Sequence, residues 1–389
     1  MISQRVQQLK DGLFLNTGEI SLERVRLYAK SRQRTVSDRS IIMRRAKAIA
    51  NFLLQVEISI RPGELLAGSP TVKPRSGMFS PETDPYWAAD ELNTLKVKKA
   101  RNINTFKLHQ SAEGQEHIIM NYQQVLAHGL DALLLEYKLQ HQNNPQNPFF
   151  YAVLFVLAAT ACHIQRYAEL AEQMAASEQD SLRRNELMEM ARISRKIAHD
   201  KPETFYEACQ LFWFLNIIAQ CESPATSVSP GRFDQYMYPF YVNDIVKGVP
   251  VESIKELLHC LWIKMNDVVL SPGEDSTKSF AGFPAGNTIT LGGLDHHGRS
   301  AVNEFSYLIL DTYREIQLPQ PHLGIRINEL TPQAFLGKTA EIVRLGIGIP
   351  RIVNDRAIIP GLLLQGVPLK EARDYAVAGC TRLSISCKA

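Results

Sequence analysis

The last third of the chain constrains the fold most, because helical segments alternate there with short apolar segments. Val251 to Val269 has apolar residues at helical spacing, and helices are also predicted from Ser300 to Glu315 and from Thr331 to Leu345. The apolar segments that predict strands are Thr288–Gly293, Leu323–Ile327, Ile349–Val353 and Tyr375–Ala378. Strands separated by helices usually pair in parallel through right-handed crossovers, so this pattern predicts an α/β fold.

The first two thirds of the chain are predicted to be mostly helical. Long helices are expected over Phe149–Met174 and Asp180–His199. The segment Thr204–Glu207 has the residues of a capping box, and the helix that it opens is apolar all round at Leu211–Leu215, which is typical of a core helix. A short strand is predicted at Leu65–Gly68.

Composition limits the classes of function. The 389 residues carry a net charge of +3 without a long basic run, so nucleic acid is not an expected partner. The six cysteines include no Cys-x-x-Cys pair, which favours free thiols in a reducing cytoplasm. The most apolar run, Phe149–Cys162, is shorter than the roughly 18–20 residues of a membrane span, and the N-terminus lacks a signal-peptide core. No zinc or nucleotide motif is present, so neither metal nor nucleotide is expected.

One cysteine stands at the end of the last predicted strand. Gly379 permits a tight backbone turn, and strand ends in α/β folds face the ligand cleft, so Cys380 is a candidate catalytic residue. The alternative is a buried, inert cysteine, a common state for this residue type. As the nucleophile of a hydrolase Cys380 would need a base; His322 is a candidate, but no pattern places it within reach.

Polar residues collect after the central helix. Arg232 could hold a carboxylate in a bidentate fork, and Ser227 or Ser229 could hydrogen-bond a small polar substrate. The alternative is a structural loop in which Arg232 pairs with Asp234. His117, which precedes an apolar Ile-Ile-Met run, is either a structural residue or a substrate contact.

Five sequence blocks follow one another along nearly the whole chain. They are Arg44-Arg-Ala-Lys through Ile60-Arg-Pro-Gly-Glu-Leu-Leu-Ala-Gly68, Pro74-Arg-Ser-Gly-Met-Phe-Ser-Pro-Glu82, Gly231-Arg-Phe-Asp-Gln-Tyr-Met-Tyr-Pro239, Leu318-Pro-Gln-Pro with Arg326, and Gly348-x-Pro-x-x-x-Asn-Asp355 leading to Ala372-Arg-Asp-Tyr-Ala-Val-Ala-Gly-Cys380. As a set they resemble the glycyl radical enzymes, the family of pyruvate formate-lyase and the glycerol and diol dehydratases. The single cysteine after Gly379 is similar to the dehydratase-type branch.

The resemblance implies a fold. Family members form a ten-stranded α/β barrel from two five-stranded halves, with the cysteine loop between them and a helical shell outside. This chain is expected to supply the shell and one half-barrel, truncated after the cysteine loop. Residues 1–389 would then be an incomplete pyruvate formate-lyase-type domain. The Arg-Val-x-Gly-Tyr loop of the family does not occur in the sequence, so the C-terminal glycine radical domain is expected to be absent.

The resemblance also implies a chemistry. A glycyl radical takes a hydrogen atom from the active-site cysteine, by position Cys380, and the resulting thiyl radical abstracts hydrogen from a small substrate. His117, Ser227, Ser229 and Arg232 are the expected substrate contacts. The chain itself is expected to bind no cofactor, since the radical would lie in the missing C-terminal part and be installed by a radical S-adenosylmethionine activase.

One residue departs from the dehydratase pattern. Arg382 stands two residues after Cys380, where those enzymes have a general-base glutamate, and a guanidinium cannot accept a proton. The first hypothesis is therefore the cysteine-bearing part of a lyase or dehydratase, inactive alone and paired with its missing half or a full-length homologue. The second is a non-catalytic fragment or partner of such a homologue. The third is a cysteine hydrolase.

Overall fold

The computed structural model describes residues 2–16, 20–78, 115–222, 225–269, 284–379 and 382–385. The helices in this part of the chain are α1 Gln4–Leu15, α2 Glu23–Arg34, α3 Ile41–Gln55, α4 Tyr122–His128, α5 Leu130–Asn143, α6 Pro148–Ser177, α7 Ser181–Ile197, α8 Phe205–Glu222, α9 Phe233–Tyr236, α10 Tyr238–Val246, α11 Val251–Met265, α12 Glu304–Ile316, α13 Gln333–Val343, α14 Asp355–Leu364 and α15 Leu369–Ala372. The strands are β1 Ile20–Ser21, β2 Gly77–Met78, β3 Gln115–Ile119, β4 Ala225–Ser229, β5 Thr288–Gly292, β6 His322–Ile327, β7 Arg351–Asn354, β8 Tyr375–Ala378 and β9 Arg382–Ile385.

Five parallel strands follow one another in chain order. β3 pairs with β4, and β5, β6 and β7 form a continuous sheet, all in parallel. Two parallel bridges, Ser227 with Gly286 and Gly231 with Ile289, connect β4 to β5. The parallel arrangement predicted for the last third is therefore confirmed for β5 to β7, and the array also contains two strands that the sequence pattern did not predict, β3 and β4.

β8 lies across one face of this array. At its start the Arg326 guanidinium, near the carboxyl end of β6, donates to the carbonyl of Tyr375 at 2.9 Å. Midway the amide of Val377 donates to Thr290 Oγ1 at 2.9 Å, and beyond its end Thr288 Oγ1 donates to the carbonyl of Gly379 at 2.9 Å. β8 thus runs antiparallel to β5 and ends beside the amino end of β5.

The partner of β8 corrects one prediction. β8 pairs antiparallel with β9 and not in parallel with an earlier strand of the sheet. The reason is the short connection, since only residues 379–381 join the two strands and a parallel pair needs a crossover of a dozen residues or more. The two strands form a hairpin whose tip contains Gly379.

The core is built around α8. Its capping box is present, because the Glu207 amide donates to Thr204 Oγ1 at 3.2 Å, and Trp213 is fully buried. The strand predicted at Leu65–Gly68 is wrong. The Gln210 side chain bonds both the amide and the carbonyl of Ala67, at 2.8 and 2.9 Å, so side chains of α8 satisfy this backbone instead of a neighbouring strand.

The predicted helix from Phe149 to Met174 is confirmed as part of α6, which has 30 residues. By length and composition alone α6 could cross a membrane, and 33% of its most apolar 18-residue stretch is buried. The sequence expectation counted only the run Phe149–Cys162, whereas the helix continues to Ser177. Core helices of soluble proteins meet the same criteria, so this feature alone does not identify a membrane protein.

Candidate functional site

Gly379 lies at the centre of a converging set of contacts. Its amide donates to Ser229 Oγ at 3.1 Å, and its carbonyl accepts from Thr288 Oγ1 at 2.9 Å and from the Arg351 guanidinium at 2.7 Å. Three parallel strands, β4, β5 and β7, therefore hold the tip of the hairpin. Cys380 itself lies outside the described residues, so its predicted role stays a prediction.

His117 explains why the residue before Cys380 is a glycine. Gly379 has a φ of +54°, in the left-handed region, and a Cβ added there would lie 2.2 Å from His117 Nδ1 and 2.3 Å from Cε1. Any other residue would meet both backbone strain and the imidazole ring. The sequence prediction placed His117 near the cysteine only through the resemblance, and the structure brings it against the preceding residue.

The two serines form an ordered pair. His117 and Ser227 are partners in the β3–β4 register, and Ser227 Oγ lies 2.7 Å from Ser229 Oγ, both serines being fully buried. Ser229 Oγ also accepts from the amides of Thr288 and Gly379, each at 3.1 Å. Because a hydroxyl has two acceptor positions and one hydrogen, Ser229 must donate its hydrogen to Ser227. Ser227 then keeps its own hydrogen for another acceptor.

Arg232 lies at the opposite end of β5 from Gly379. It is buried, and its guanidinium donates to Asp374 Oδ1 at 2.9 Å and to the carbonyl of Gly292 at 3.1 Å. Gly292 is at the carboxyl end of β5, about 13 Å along the strand from Thr288. The structure thus brings His117, Ser227 and Ser229 together near Gly379 but not Arg232, whose substrate contact stays a prediction. Its ion pair is with Asp374, not with Asp234 as the structural alternative expected.

A buried ionic cluster holds the start of β8. Arg326 donates to Asp355 Oδ1 at 2.9 Å and to the carbonyls of Tyr375 and Arg373, each at 2.9 Å. The Tyr375 hydroxyl donates to the same carboxylate at 2.7 Å. In the sequence Arg326 and Asp355 stood out only as members of the blocks that carry the resemblance; the structure shows that they join β6, α14 and β8 at one end of the hairpin.

Arg351 is the site residue that the sequence reasoning missed. Besides the carbonyl of Gly379, its guanidinium contacts His322 Nδ1 at 3.0 Å. Burial, and then the charge of Arg351, lowers the pKa of His322 to about 4, so this ring is neutral at pH 7. In the sequence, only the position of Arg351 directly after Pro350 in the fifth block could have suggested that it belongs to the site.

The contact between Arg351 and His322 bears on the hydrolase hypothesis. Since Arg351 only donates, Nδ1 of His322 must accept, and the hydrogen of the neutral ring is then on Nε2. A ring in this state has no lone pair left for a second acceptor role. His322 is therefore unsuited to act as the base for a nucleophilic cysteine.

Three of the four cysteines in the described ranges differ from a reactive thiol. Cys209, Cys221 and Cys260 are buried, and burial raises the pKa of each, to about 12 for Cys221 and Cys260. Cys162 is exposed on α6. No group of three or more His, Cys, Asp or Glu side chains in the described ranges could hold a metal ion.

Comparison with known proteins identifies the family. A model of pyruvate formate lyase-like proteins (PFL-like) matches residues 2–107 and 94–388. The chain belongs to this family. The probable dehydratase YbiW of Escherichia coli (strain K12) is 30% identical to it over 444 aligned positions, which include 100% of this chain and 54% of that protein.

Solved structures show the same relation. The glycerol-bound B12-independent glycerol dehydratase from Clostridium butyricum superposes with a TM-score of 0.91 at 32% identity, over 100% of this chain and 55% of that one. A glycyl radical enzyme from Archaeoglobus fulgidus gives 0.87 at 28% identity, over 98% and 55%. The chain is thus a member of the glycyl radical enzyme family, and it has the mixed α/β fold of these structures. It spans about half the length of these relatives.

Proposed function

We propose that this chain is the cysteine-bearing part of a glycyl radical lyase or dehydratase that acts on a small substrate. Cys380 would pass a hydrogen atom to the radical and take one from the substrate. The observation that carries the proposal is the anchoring of Gly379 by Ser229, Thr288 and Arg351, next to His117. Hydrogen transfer to a sulfur requires a fixed separation of the reacting atoms, and these contacts restrain the residue that precedes the thiol.

The surrounding residues would orient the substrate. Ser227 keeps a hydroxyl hydrogen because Ser229 already donates to it, so Ser227 could donate to a substrate hydroxyl or carbonyl. His117, on the neighbouring strand, would border the same space. Arg382 offers only N–H donors, so an elimination by this chain would use a proton acceptor other than the residue two places after Cys380.

The radical would come from polypeptide outside this sequence. In the proposal, the glycine radical domain lies in the part missing from this sequence or in a full-length homologue, and a radical S-adenosylmethionine activase installs the radical in the cytoplasm. When present, the glycyl radical would supply the abstraction of a hydrogen atom from the thiol.

The edge of the parallel array supports a docking position for that missing part or homologue. β5 is buried along its whole length, but Ile352 in β7 is 53% exposed and Leu364 in α14 is 90% exposed. Among the described strands, none pairs with the outer edge of β7. An unpaired strand edge favours pairing with another strand, and exposed apolar side chains beside it favour burial under another segment of protein.

Reconstitution tests the proposal. The chain would be produced anaerobically with an activase and with the part of the Clostridium butyricum glycerol dehydratase that it does not match. We expect an EPR-visible glycyl radical and turnover of a small alcohol or acid. Cys380→Ser should abolish turnover and leave the radical, whereas Cys162→Ser, a change of an exposed cysteine on α6, should alter neither. Turnover that survives Cys380→Ser would disprove the role of this sulfur.

The second candidate is a non-catalytic partner of a full-length homologue, favoured by Arg382 in place of a glutamate. A complex that co-purifies and carries the radical, but turns over no faster than the homologue alone and is unaffected by Cys380→Ser, would support it. Thiol-dependent esterase activity in air would instead support a hydrolase.

A further inference from the structure

We infer that Arg351 and Arg382 form an anion subsite beside the hairpin tip, and that the substrate carries a carboxylate, sulfonate or phosphate group. This inference rests on the proposed function, because that function places the substrate next to Cys380. It goes further in naming the chemical class: a small oxyanion-bearing molecule is favoured over an uncharged diol.

The charge of Arg351 is not balanced inside the described part of the chain. Its guanidinium is half-buried and bonds two neutral acceptors, the carbonyl of Gly379 and His322 Nδ1. By contrast, the buried guanidinium of Arg232 pairs with Asp374 at 2.9 Å, and that of Arg326 with Asp355 at 2.9 Å. A partly desolvated cation without a carboxylate partner is stabilised when an anion binds.

The guanidinium of Arg351 also has the capacity for such a ligand. It has five N–H donors in a planar fork, and the two described contacts leave donors available. Arginine binds carboxylate and phosphate oxygens through paired parallel hydrogen bonds, which makes it a better anion ligand than lysine. The neutral ring of His322 adds an N–H donor at Nε2, because its Nδ1 accepts from Arg351.

Arg382 adds a second positive charge at the other strand of the hairpin. It is exposed, it faces Ala378 in the β8–β9 register, and it forms no ion pair with a described carboxylate. Ser229 and Thr288 also bond the backbone of Gly379 and His117 packs beside it, and none of these three side chains is acidic. The two arginines therefore create a positive potential at the tip that attracts anions and disfavours a bare cationic substrate.

A binding experiment tests the subsite without the radical. The purified full chain would be titrated calorimetrically with three anions, 2-hydroxyethanesulfonate, lactate and glycerol 3-phosphate, and with neutral propane-1,2-diol, at low and at moderate salt. We expect saturable binding of at least one anion, weakened by salt, and at least tenfold tighter than that of the diol. Arg351→Gln should weaken anion binding about tenfold or more, with Arg351→Lys in between.

Two further variants separate a binding role from a folding role. Arg382→Gln removes a side chain without a described hydrogen bond, so it should leave the near-UV circular dichroism unchanged and still weaken anion binding several-fold. Arg356→Gln is the matched control, because Arg356 is exposed and pairs with Glu329, and it should have no effect on binding.

The inference is overturned if no anion binds the wild-type chain, if the diol binds equally well, or if neither Arg351→Gln nor Arg382→Gln weakens the binding. These outcomes are independent of the reconstitution experiment. Anion binding without Cys380-dependent turnover would uphold the subsite and reject the proposed function. If the reconstituted enzyme turned over a neutral diol and bound none of the anions, the proposed function would be upheld and the subsite rejected.

Discussion

Replacement of Gly379 by alanine is the sharpest test of the geometry beside Cys380. The new Cβ would lie 2.2 Å from His117 Nδ1, a separation that real Cβ atoms essentially never show, so the ring or the hairpin tip must move. Overpacking of this kind costs about 1–3 kcal/mol. The φ of +54° adds about 1–2 kcal/mol for any residue with a Cβ. After subtraction of the gain of about 0.4–1 kcal/mol from reduced freedom of the unfolded chain, we expect Gly379→Ala to lower the free energy of unfolding by about 1–4.5 kcal/mol.

Gly248 offers a control, because it has a left-handed backbone conformation but no neighbour that an added Cβ would meet. Gly248 has a φ of +83°, and a Cβ added there meets nothing within 4 Å. Gly248→Ala should cost only the left-handed strain, about 1–2 kcal/mol, partly offset by about 0.4–1 kcal/mol of lost freedom in the unfolded chain. The excess cost of Gly379→Ala over this control then measures the contact with His117.

Urea unfolding followed by far-UV circular dichroism would measure both variants. Adding His117→Ala to Gly379→Ala removes the ring that the new methyl meets, so the double variant should regain about 1–3 kcal/mol relative to the sum of the single changes. Equal losses for Gly379→Ala and Gly248→Ala, within about 0.5 kcal/mol, would refute the close packing of Gly379 on His117.

Two further stability predictions concern buried ionisable groups. Asp355→Asn leaves the Arg326 guanidinium buried without its charge partner and should cost about 3–5 kcal/mol in urea unfolding, whereas Glu329→Gln, at the exposed pair with Arg356, should cost about 1 kcal/mol or less; similar losses for the two would contradict the buried pair. Burial lowers the pKa of His163 from 6.5 to about 4, so between these values the unfolded chain binds a proton that the folded chain does not. Stability should therefore fall as the pH drops from about 6.5 to 4, by up to about 3 kcal/mol for this residue, and His163→Asn should make the fall shallower by that amount. Unfolding free energies at pH 7.5, 6 and 5 would show this, and parallel curves for the two proteins would exclude it.

Local sequence patterns predicted the elements whose own residues carry the signal. The helix over Phe149–Met174 and the capping box at Thr204–Glu207 depend on neighbours a few positions apart, and both are present. The strands β5, β6 and β8 were predicted from apolar runs that need no knowledge of their partners. By contrast, four of the five residues of β4, Ala225–Ser229, are small or polar, and no local pattern marks it as a strand.

For the site, too, the sequence predicted some residues, but only the structure shows which of them lie together. Ser227 and Ser229 were candidates because they stand in a polar segment after the central helix, and His117 because of the resemblance to a known family. The structure brings all three together near Gly379. Arg232 lies only three residues after Ser229 in the sequence, yet its guanidinium bonds the carboxyl end of β5, opposite to the end that contacts Gly379. A five-residue strand is long enough to separate residues that are close in sequence.

The sequence by itself determined the helices α6 to α8 and α11 to α13, the strands β5 to β7 of the parallel array, and the family, because those depend on local periodicity and on ordered motifs. Only the tertiary structure decided that β8 crosses the sheet as one strand of a hairpin, that His117 packs on Gly379, and that Arg351 bonds the carbonyl before Cys380. Gly379 lies 262 positions after His117 and 28 after Arg351. Contacts over such separations are set by how strands stack and which way they run, and no local pattern of residues records either.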